Sequence, residues 1–432
     1  MGINAVLCFV ILAILLFMGM PVFMAMTIGG VIGIYTLFGN SSLIIASKIL
    51  FDTLNDFVLL AVPLFILMGV VLAKGGIGEK LYAMFDAFLR HIPGGVGMAT
   101  ILTCAVLAAM CGTSVAISAM VGGFALPSLK KYGYSLPLSL GILAGGGGLG
   151  PLIPPSVPMV LYSAFTGEST GKLFIAGVVP GIITVVLFCL YVGWAYKKEG
   201  GHKVAKPASW SERWQSLKIG IWALLIPVGI MVPLYSGWAT PTEIAALGTL
   251  WAFIVGGFVY RTINWKDIIP LLKEGLSSSA MIMIIICGAM VLGNTVTQVG
   301  LAQAMADLFA KNFSSGVFVT FTILIMLFLG CFLEGASIMM ICIPIFVPAL
   351  RFYNLNLIWY AVIMVMCIDI GLMTPPVGLN IYAIDGVARK LGFPSTLGLA
   401  IKGSYMFMLL YLISMILVIL IPQLALWLPS GM

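Results

Sequence analysis

Three features of the sequence predict an all-α polytopic membrane protein, built as an inverted repeat with two re-entrant helical hairpins and two broken transmembrane helices. The 432 residues are 62% hydrophobic and 8% charged, whereas a soluble domain carries about 25% charged residues. Apolar runs long enough to cross a bilayer recur from end to end, with a mean hydropathy of +1.18. Two of these runs are interrupted at mid-length by glycine and proline, AGGGGLGPLIPPS at 144–156 and GLMTPPVGLN at 371–380. The short alternating segments of a β-barrel are missing from the sequence.

Residues 3–38 form an apolar run of 36. As a helix it would measure roughly 54 Å, too long for one crossing of a core about 30 Å thick. Gly19-Met20-Pro21 supplies a break, so two crossings are expected. Residues 40–56 read as an interfacial segment, 57–73 as a crossing, and 79–92 as a second interfacial segment with charge on one side. Residues 96–110 and 115–127 are each too short for a span of about 20 residues and are joined by the small polar tip CGTS at 111–114. This stretch reads as a re-entrant hairpin. The first broken crossing follows at 135–165, then crossings at 172–196, 219–236 and 242–260, with 197–218 as a polar connector. The second half has a crossing at 276–298 and an amphipathic piece at 300–312. It continues with a hairpin at 316–350 (tip EGAS, 334–337), a broken crossing at 357–388 and a last crossing at 403–427.

The halves repeat one plan. A shift of 221 takes Pro127 to Pro348, Tyr132 to Tyr353, Gly150 to Gly371 and Pro154-Pro155 to Pro375-Pro376. The tips GTS (112–114) and GAS (335–337) match at 223, and GIGEKL (76–81) matches GLAQAM (300–305) at 224. Several matches in order indicate duplication. Five crossings separate the starts of the two units, and an odd number inverts the second. Inverted repeats with paired interrupted helices are a transporter signature, and the interruptions point to the binding site.

Placing 197–218 in the cytoplasm assigns every other loop. Of the 21 Lys and Arg, 17 then fall inside and only Lys48, Lys172, Lys311 and Arg351 outside. Both termini fall outside. The start carries no basic region before Lys48, so no secretory signal is expected. The eight cysteines lack CxxC or Cys/His spacing and read as small buried apolar residues. No GxxxxGK[ST] is present, which argues against ATP hydrolysis, and the net charge of +7 reflects loop lysines and arginines, not a nucleic-acid surface.

No Lys or Arg remains for the bilayer midplane, so an anionic substrate must be held by backbone N–H groups, hydroxyls and half-helix N-termini. Each such terminus carries roughly half a positive charge. Four can converge: after Thr113-Ser114, after Ser337, after Pro154-Pro155 and after Pro375-Pro376. The preceding half-helices end there too and expose carbonyls at 144–150 and 370–374, oxygen donors that suit a hard cation such as Na⁺. Thr113, Ser114, Pro155, Ser156, Ser337 and Pro376 are the candidate substrate contacts. Taken alone, Gly145–Gly148 would fit close helix packing, and Ser114 and Ser337 could back-bond to their own helices. Their place at matched tips and breaks favours ligation. Asp369 is an intramembrane carboxylate, functional by default; it can ligate a cation or brace the break, and the sequence leaves both open. Asn380 has the same two roles available. Glu334 can cap its tip.

The chain resembles the large membrane subunit of tripartite ATP-independent periplasmic (TRAP) transporters, in the ion-transporter superfamily. The resemblance is carried by FVLLAVPLFILMG (57–69), CGTSVAISA (111–119), GGGGLGPLIPPS (145–156), GEST (167–170) and DIGLMTPPVGLN (369–380), and it covers essentially the whole length. It implies an elevator-type secondary transporter of the bacterial inner membrane that imports an organic acid, such as a C4-dicarboxylate or sialic acid, with sodium ions and no other cofactor. It also implies two partners, a periplasmic substrate-binding protein and a small four-helix membrane subunit. The chain opens directly on large-subunit sequence, so the small subunit is expected as a separate chain. The resemblance implies cation sites on Ser114, Gly147, Pro154 and Ser156 at one cluster and on Gly335, Ser337, Thr374 and Asn380 at the other. It divides the chain into scaffold helices (1–75), a first transport unit (76–171), scaffold helices with the loop 197–218 (172–298), a second transport unit (299–390) and a C-terminal helix (391–432).

A stand-alone ion-coupled carboxylate carrier or an antiporter is the alternative. A channel could also use hairpins and broken helices. A membrane-embedded enzyme is not expected, because no paired-carboxylate or nucleophile motif surrounds Asp369 and Asp385.

Overall fold

The computed structural model describes residues 2–200, 206–300 and 313–431, and every regular element among them is helical. The first long apolar run forms α1 (Gly2–Phe17) and α2 (Val22–Phe38), split where Gly19 takes φ 78° ahead of Pro21. Then come α3 (Ser42–Leu54), α4 (Ala61–Lys74) and α5 (Ile77–Leu89), the last two bent by 64°. Helices α6 (Gly95–Cys111) and α7 (Ser114–Lys131) form the first hairpin, and the chain reverses at Gly112, whose φ of 63° suits glycine. The first broken helix is α8 (Leu136–Gly147) plus α9 (Val157–Thr166).

Four long helices follow: α10 (Thr170–Lys198), α11 (Trp210–Tyr235), α12 (Pro241–Ile254, extended by a π-turn over Val255–Val259) and α13 (Trp265–Gln298). The second hairpin is α14 (Ser315–Gly330) and α15 (Gly335–Phe352). The second broken helix is α16 (Leu357–Leu372) plus α17 (Leu379–Lys390), and α18 (Leu397–Leu420) and α19 (Gln423–Leu426) close the chain. Among the described residues, seven helical segments are long and apolar enough to cross a membrane.

The duplication is visible in the element boundaries. A shift of 221 carries the start of α7 at Ser114 to the start of α15 at Gly335, and its end at Lys131 to Phe352. The same shift carries the start of α8 at Leu136 to the start of α16 at Leu357. One broken helix and four long helices stand between the hairpins, the odd count of an inverted repeat.

Four boundaries differ from the sequence reading. Residues 210–218 are not connector: Ser209 caps α11 by accepting from Glu212 N at 3.1 Å, a Ser-x-x-Glu start inside a polar stretch. Helix α13 begins eleven residues earlier than residue 276, because Asn264 and Asp267 form a capping box that starts the helix despite Lys266, Lys273 and Glu274 in its first turns. The last crossing runs 397–420, not 403–427, and stops before Pro422, which cannot continue a helix hydrogen-bond ladder. The crossing expected at 57–73 is helical only from Ala61. The amphipathic piece expected at 300–312 lies outside the described residues.

Glycine faces set the packing. Helix α2 packs on α13, where a Cβ on Gly30 would stand 2.9 Å from Leu292 N. Helix α8 packs on α18, where a Cβ on Gly141 would overlap Gly403 O and a Cβ on Gly403 would overlap Pro137 O. Such backbone contact is how helices associate where lipid is as apolar as the side chains. Helix α4 lies on α12, α5 on α11, α7 on α17, and α14 on α16.

Candidate functional site

Each helix break lies against the tip of its own hairpin. At the first, Gly112 faces the resumed chain, and a Cβ there would be 3.1 Å from Pro155 O and 3.3 Å from Val157 N. Gly150 leaves the same small clearance, with a Cβ 2.9 Å from the Thr113 carbonyl carbon and 3.0 Å from Ser114 N. Gly147 touches the second arm, where a Cβ would overlap Ser118 Oγ. Ser118 in turn donates to Leu143 O at 3.4 Å. At the second break, Val377 N donates to Cys331 O at 3.2 Å, and Gly330 and Gly371 meet backbone to backbone, with either Cβ less than 3 Å from the other residue's Cα.

Four helices start at the expected tips and breaks, but the second-tip helix starts at Gly335, which places Ser337 inside its first turn and not ahead of it. Helix α7 starts at Ser114 and α9 at Val157, where Ser156 Oγ accepts from Met159 N at 3.4 Å. Helix α15 starts at Gly335, with the Glu334 carboxylate accepting from Ala336 N at 3.1 Å. That carboxylate acts as a cap. Helix α17 starts at Leu379 after Gly378, whose φ is 56°. Both Pro-Pro bonds in the breaks are cis.

The candidate residues separate by burial. Ser114, Gly147, Pro154, Pro155, Ser156, Ser337, Asp369 and Asn380 are buried, and Thr113, Gly335 and Thr374 are half-buried. Pro376 is exposed. The Thr374 hydroxyl donates to Ile370 O at 2.7 Å and so extends the end of α16.

The two breaks are tied together. By sequence Asn380 belongs to the second cluster, but its amide nitrogen donates across to Ser114 Oγ at 2.5 Å, at the first tip. Met373 covers Gly148, its methyl 3.1 Å from where a Cβ would stand. The Tyr411 hydroxyl of α18 lies 2.8 Å from Asp369 Oδ2 and 3.2 Å from Gly148 O, one group reaching both breaks. Phe188 of α10 packs beside Tyr411 with ring centroids 6.1 Å apart. Sequence reasoning missed Tyr411 and Ser118. A lone tyrosine in an apolar helix carries no mark of partners 42 and 263 residues away.

Two buried oxygens are left over. Asp369 Oδ1 and Asn380 Oδ1 have no hydrogen-bond partner among the described residues. A buried polar atom without a partner is uncommon and calls for a cause. Carboxylate and amide oxygens beside helix-end carbonyls are the donor set of a hard monovalent cation. Among the described residues no group of three His, Cys, Asp or Glu could hold a metal ion in the manner of a transition-metal site.

A broken-helix inverted repeat with paired hairpin tips is the architecture of a secondary transporter permease. The chain belongs to the family of the tripartite ATP-independent periplasmic transporter, DctM component, whose description matches residues 9–424. It is 35% identical over 385 residues to the C4-dicarboxylate TRAP transporter large permease protein DctM of Pseudomonas aeruginosa, covering 88% of each chain. It is 31% identical over 374 residues to the sialic acid TRAP transporter large permease protein SiaM of Vibrio cholerae, covering 86% of this chain and 87% of that one. Its fold is similar to that of the YdaH transporter of Alcanivorax borkumensis, with a TM-score of 0.63 and 16% identity over 91% of this chain and 90% of that one. The chain is therefore a TRAP transporter large permease, a multi-span membrane protein.

Proposed function

We propose that this permease imports an organic acid of the C4-dicarboxylate or sialic acid class, in symport with Na⁺, by an elevator movement in the bacterial inner membrane. The observation that carries the reading is the pairing of each break with its hairpin tip, with Asp369 Oδ1 and Asn380 Oδ1 left over as buried oxygens. Sodium ions settle among those oxygens, the hydroxyls of Ser114 and Ser337 and the carbonyls at the ends of α8 and α16. They order the tips. The carboxylate then docks on N–H and hydroxyl donors at Thr113, Ser114, Ser156 and Ser337, where helix N-termini favour negative charge. With charge balanced, the units 76–171 and 299–390 slide past the remaining helices, and low internal Na⁺ releases the load.

The acid arrives on a periplasmic binding protein, and a separate four-helix small subunit completes the membrane assembly. The 17 to 4 division of Lys and Arg supports placing both termini on the periplasmic side.

Uptake into proteoliposomes holding the chain and its small subunit tests the proposal. Binding protein preloaded with radiolabelled succinate or N-acetylneuraminate is supplied outside, with and without an inward Na⁺ gradient. Uptake that requires both supports a tripartite symporter. Uptake without the binding protein supports the stand-alone carrier, and acid efflux driven by inward Na⁺ supports the antiporter.

A further inference from the structure

A cavity of about 720 Å³ opens at the far end of α15 from its tip. Arg351 in its wall is 14 residues beyond Ser337 on the same helix, about 21 Å along the axis. The α15 lining begins nearer, at Ile343, six residues and about 9 Å beyond Ser337, and no residue of either hairpin tip or of the two Pro-Pro breaks lines the cavity. One wall is α9 and α15, from the repeat units, with Phe165, Pro344 and Arg351; the other is α3 and α13, with Asp52, Asn294 and Thr297. Its volume lies within the range of about 300–1,000 Å³ usual for small-molecule sites.

The polar groups of this cavity are unevenly matched. Arg351 donates from one terminal nitrogen to Thr166 O at 2.8 Å, which fixes its guanidinium and leaves further donors free for a carboxylate. No ion pair within 4 Å joins it to Asp52 or Asp56 among the described residues. Asp56 Oδ1 already accepts from Val58 N and Leu59 N at 2.7 and 3.2 Å. The hydroxyls of Thr53 and Thr297 donate to their own helices, at Ile49 O and Gly293 O. Asn294 Oδ1 is buried with no partner among the described residues. The cavity lining thus holds one guanidinium, two carboxylates and an orphan amide oxygen. A ligand that completes this set brings one carboxylate and several O–H or N–H donors. A second carboxylate would meet Asp52 and Asp56 in like-charge contact.

We propose that this cavity is a loading site, distinct from the hairpin tips, for a monocarboxylate rich in hydroxyl or amino donors. Arg351 takes its carboxylate and Asp52 and Asn294 take its donors. The inference rests on the proposed import of an organic acid, and within that class it selects the sugar-acid type over the dicarboxylate.

The test is the rate at which a membrane-impermeant maleimide labels Thr297→Cys in the chain reconstituted with its small subunit, without binding protein or Na⁺ gradient. The chain with its eight native cysteines alone gives the background, and each variant's rate without acid is its own reference. N-acetylneuraminate at ten times its half-effective concentration should slow labelling about tenfold, and succinate should not. Arg351→Gln should abolish the slowing, and Asp52→Asn should let succinate slow labelling. Equal slowing by both acids in the Asp52-intact chain, no slowing by either, or slowing retained in Arg351→Gln would overturn the assignment. Uptake plays no part in this readout, so loss of the symport reading and loss of the loading site are separable.

Discussion

Tyr411→Phe removes one oxygen atom and with it the group that reaches both breaks. In the native chain that oxygen lies 2.8 Å from Asp369 Oδ2 and 3.2 Å from Gly148 O, in a site where both Asp369 and Tyr411 are 0% exposed. A hydrogen bond contributes about 0.5–1.5 kcal/mol, and stranding a buried acceptor costs about 1–3 kcal/mol. The Tyr411 oxygen is shared between two partners here, so the terms do not add, and the expected loss is about 1–3 kcal/mol. That corresponds to about 5- to 150-fold in the unfolding equilibrium. The assay is SDS titration of the detergent-solubilised chain, run as a cycle with Asp369→Asn and the double variant. The coupling between the two sites should exceed about 1 kcal/mol, as expected for residues in one hydrogen-bond network. A Tyr411→Phe loss under about 0.5 kcal/mol, with no coupling to Asp369, would refute the idea that α18 braces the two breaks.

Three further outcomes follow from the same contacts. Gly147→Ala places a methyl group on Ser118 Oγ and 2.9 Å from Ser114 O, so uptake should fall at least about tenfold, and adding Ser118→Ala should restore only part of it. Ser337→Ala and Asp369→Asn should each raise the Na⁺ concentration for half-maximal uptake; an unchanged Na⁺ dependence in both removes these residues from the cation sites. Asn380→Ala and Ser114→Ala break one shared hydrogen bond, so the double variant should lose little more uptake than either single one; full additivity would mean that the bond does not contribute.

Much of the architecture was legible because helix interruption in a membrane is chemically loud. Freed backbone groups cannot face lipid, so CGTS, EGAS and the two Pro-Pro stretches declared themselves, and the repeat offset placed the starts of α15 and α16 from those of α7 and α8. Helix starts in polar stretches were harder to see. Ser209 and Asn264 cap α11 and α13 among charged residues, where hydropathy reads loop and capping chemistry reads helix. The long-range ties were not legible at all. Asn380 looks like a residue of the second break, and only the fold brings it 2.5 Å from Ser114, 266 positions earlier. Tyr411 and the cavity around Arg351 depend in the same way on helices distant in sequence.

The most direct test of the two breaks as coupled cation and substrate sites is simultaneous counting of ²²Na⁺ and ¹⁴C-labelled acid entering the same proteoliposomes. Labelled sodium should enter with the acid in a fixed ratio, and Ser114→Ala together with Ser337→Ala should abolish both fluxes. Acid entry with no accompanying sodium, or an unchanged ratio and rate in the double variant, would contradict the assignment of the breaks as coupled sites.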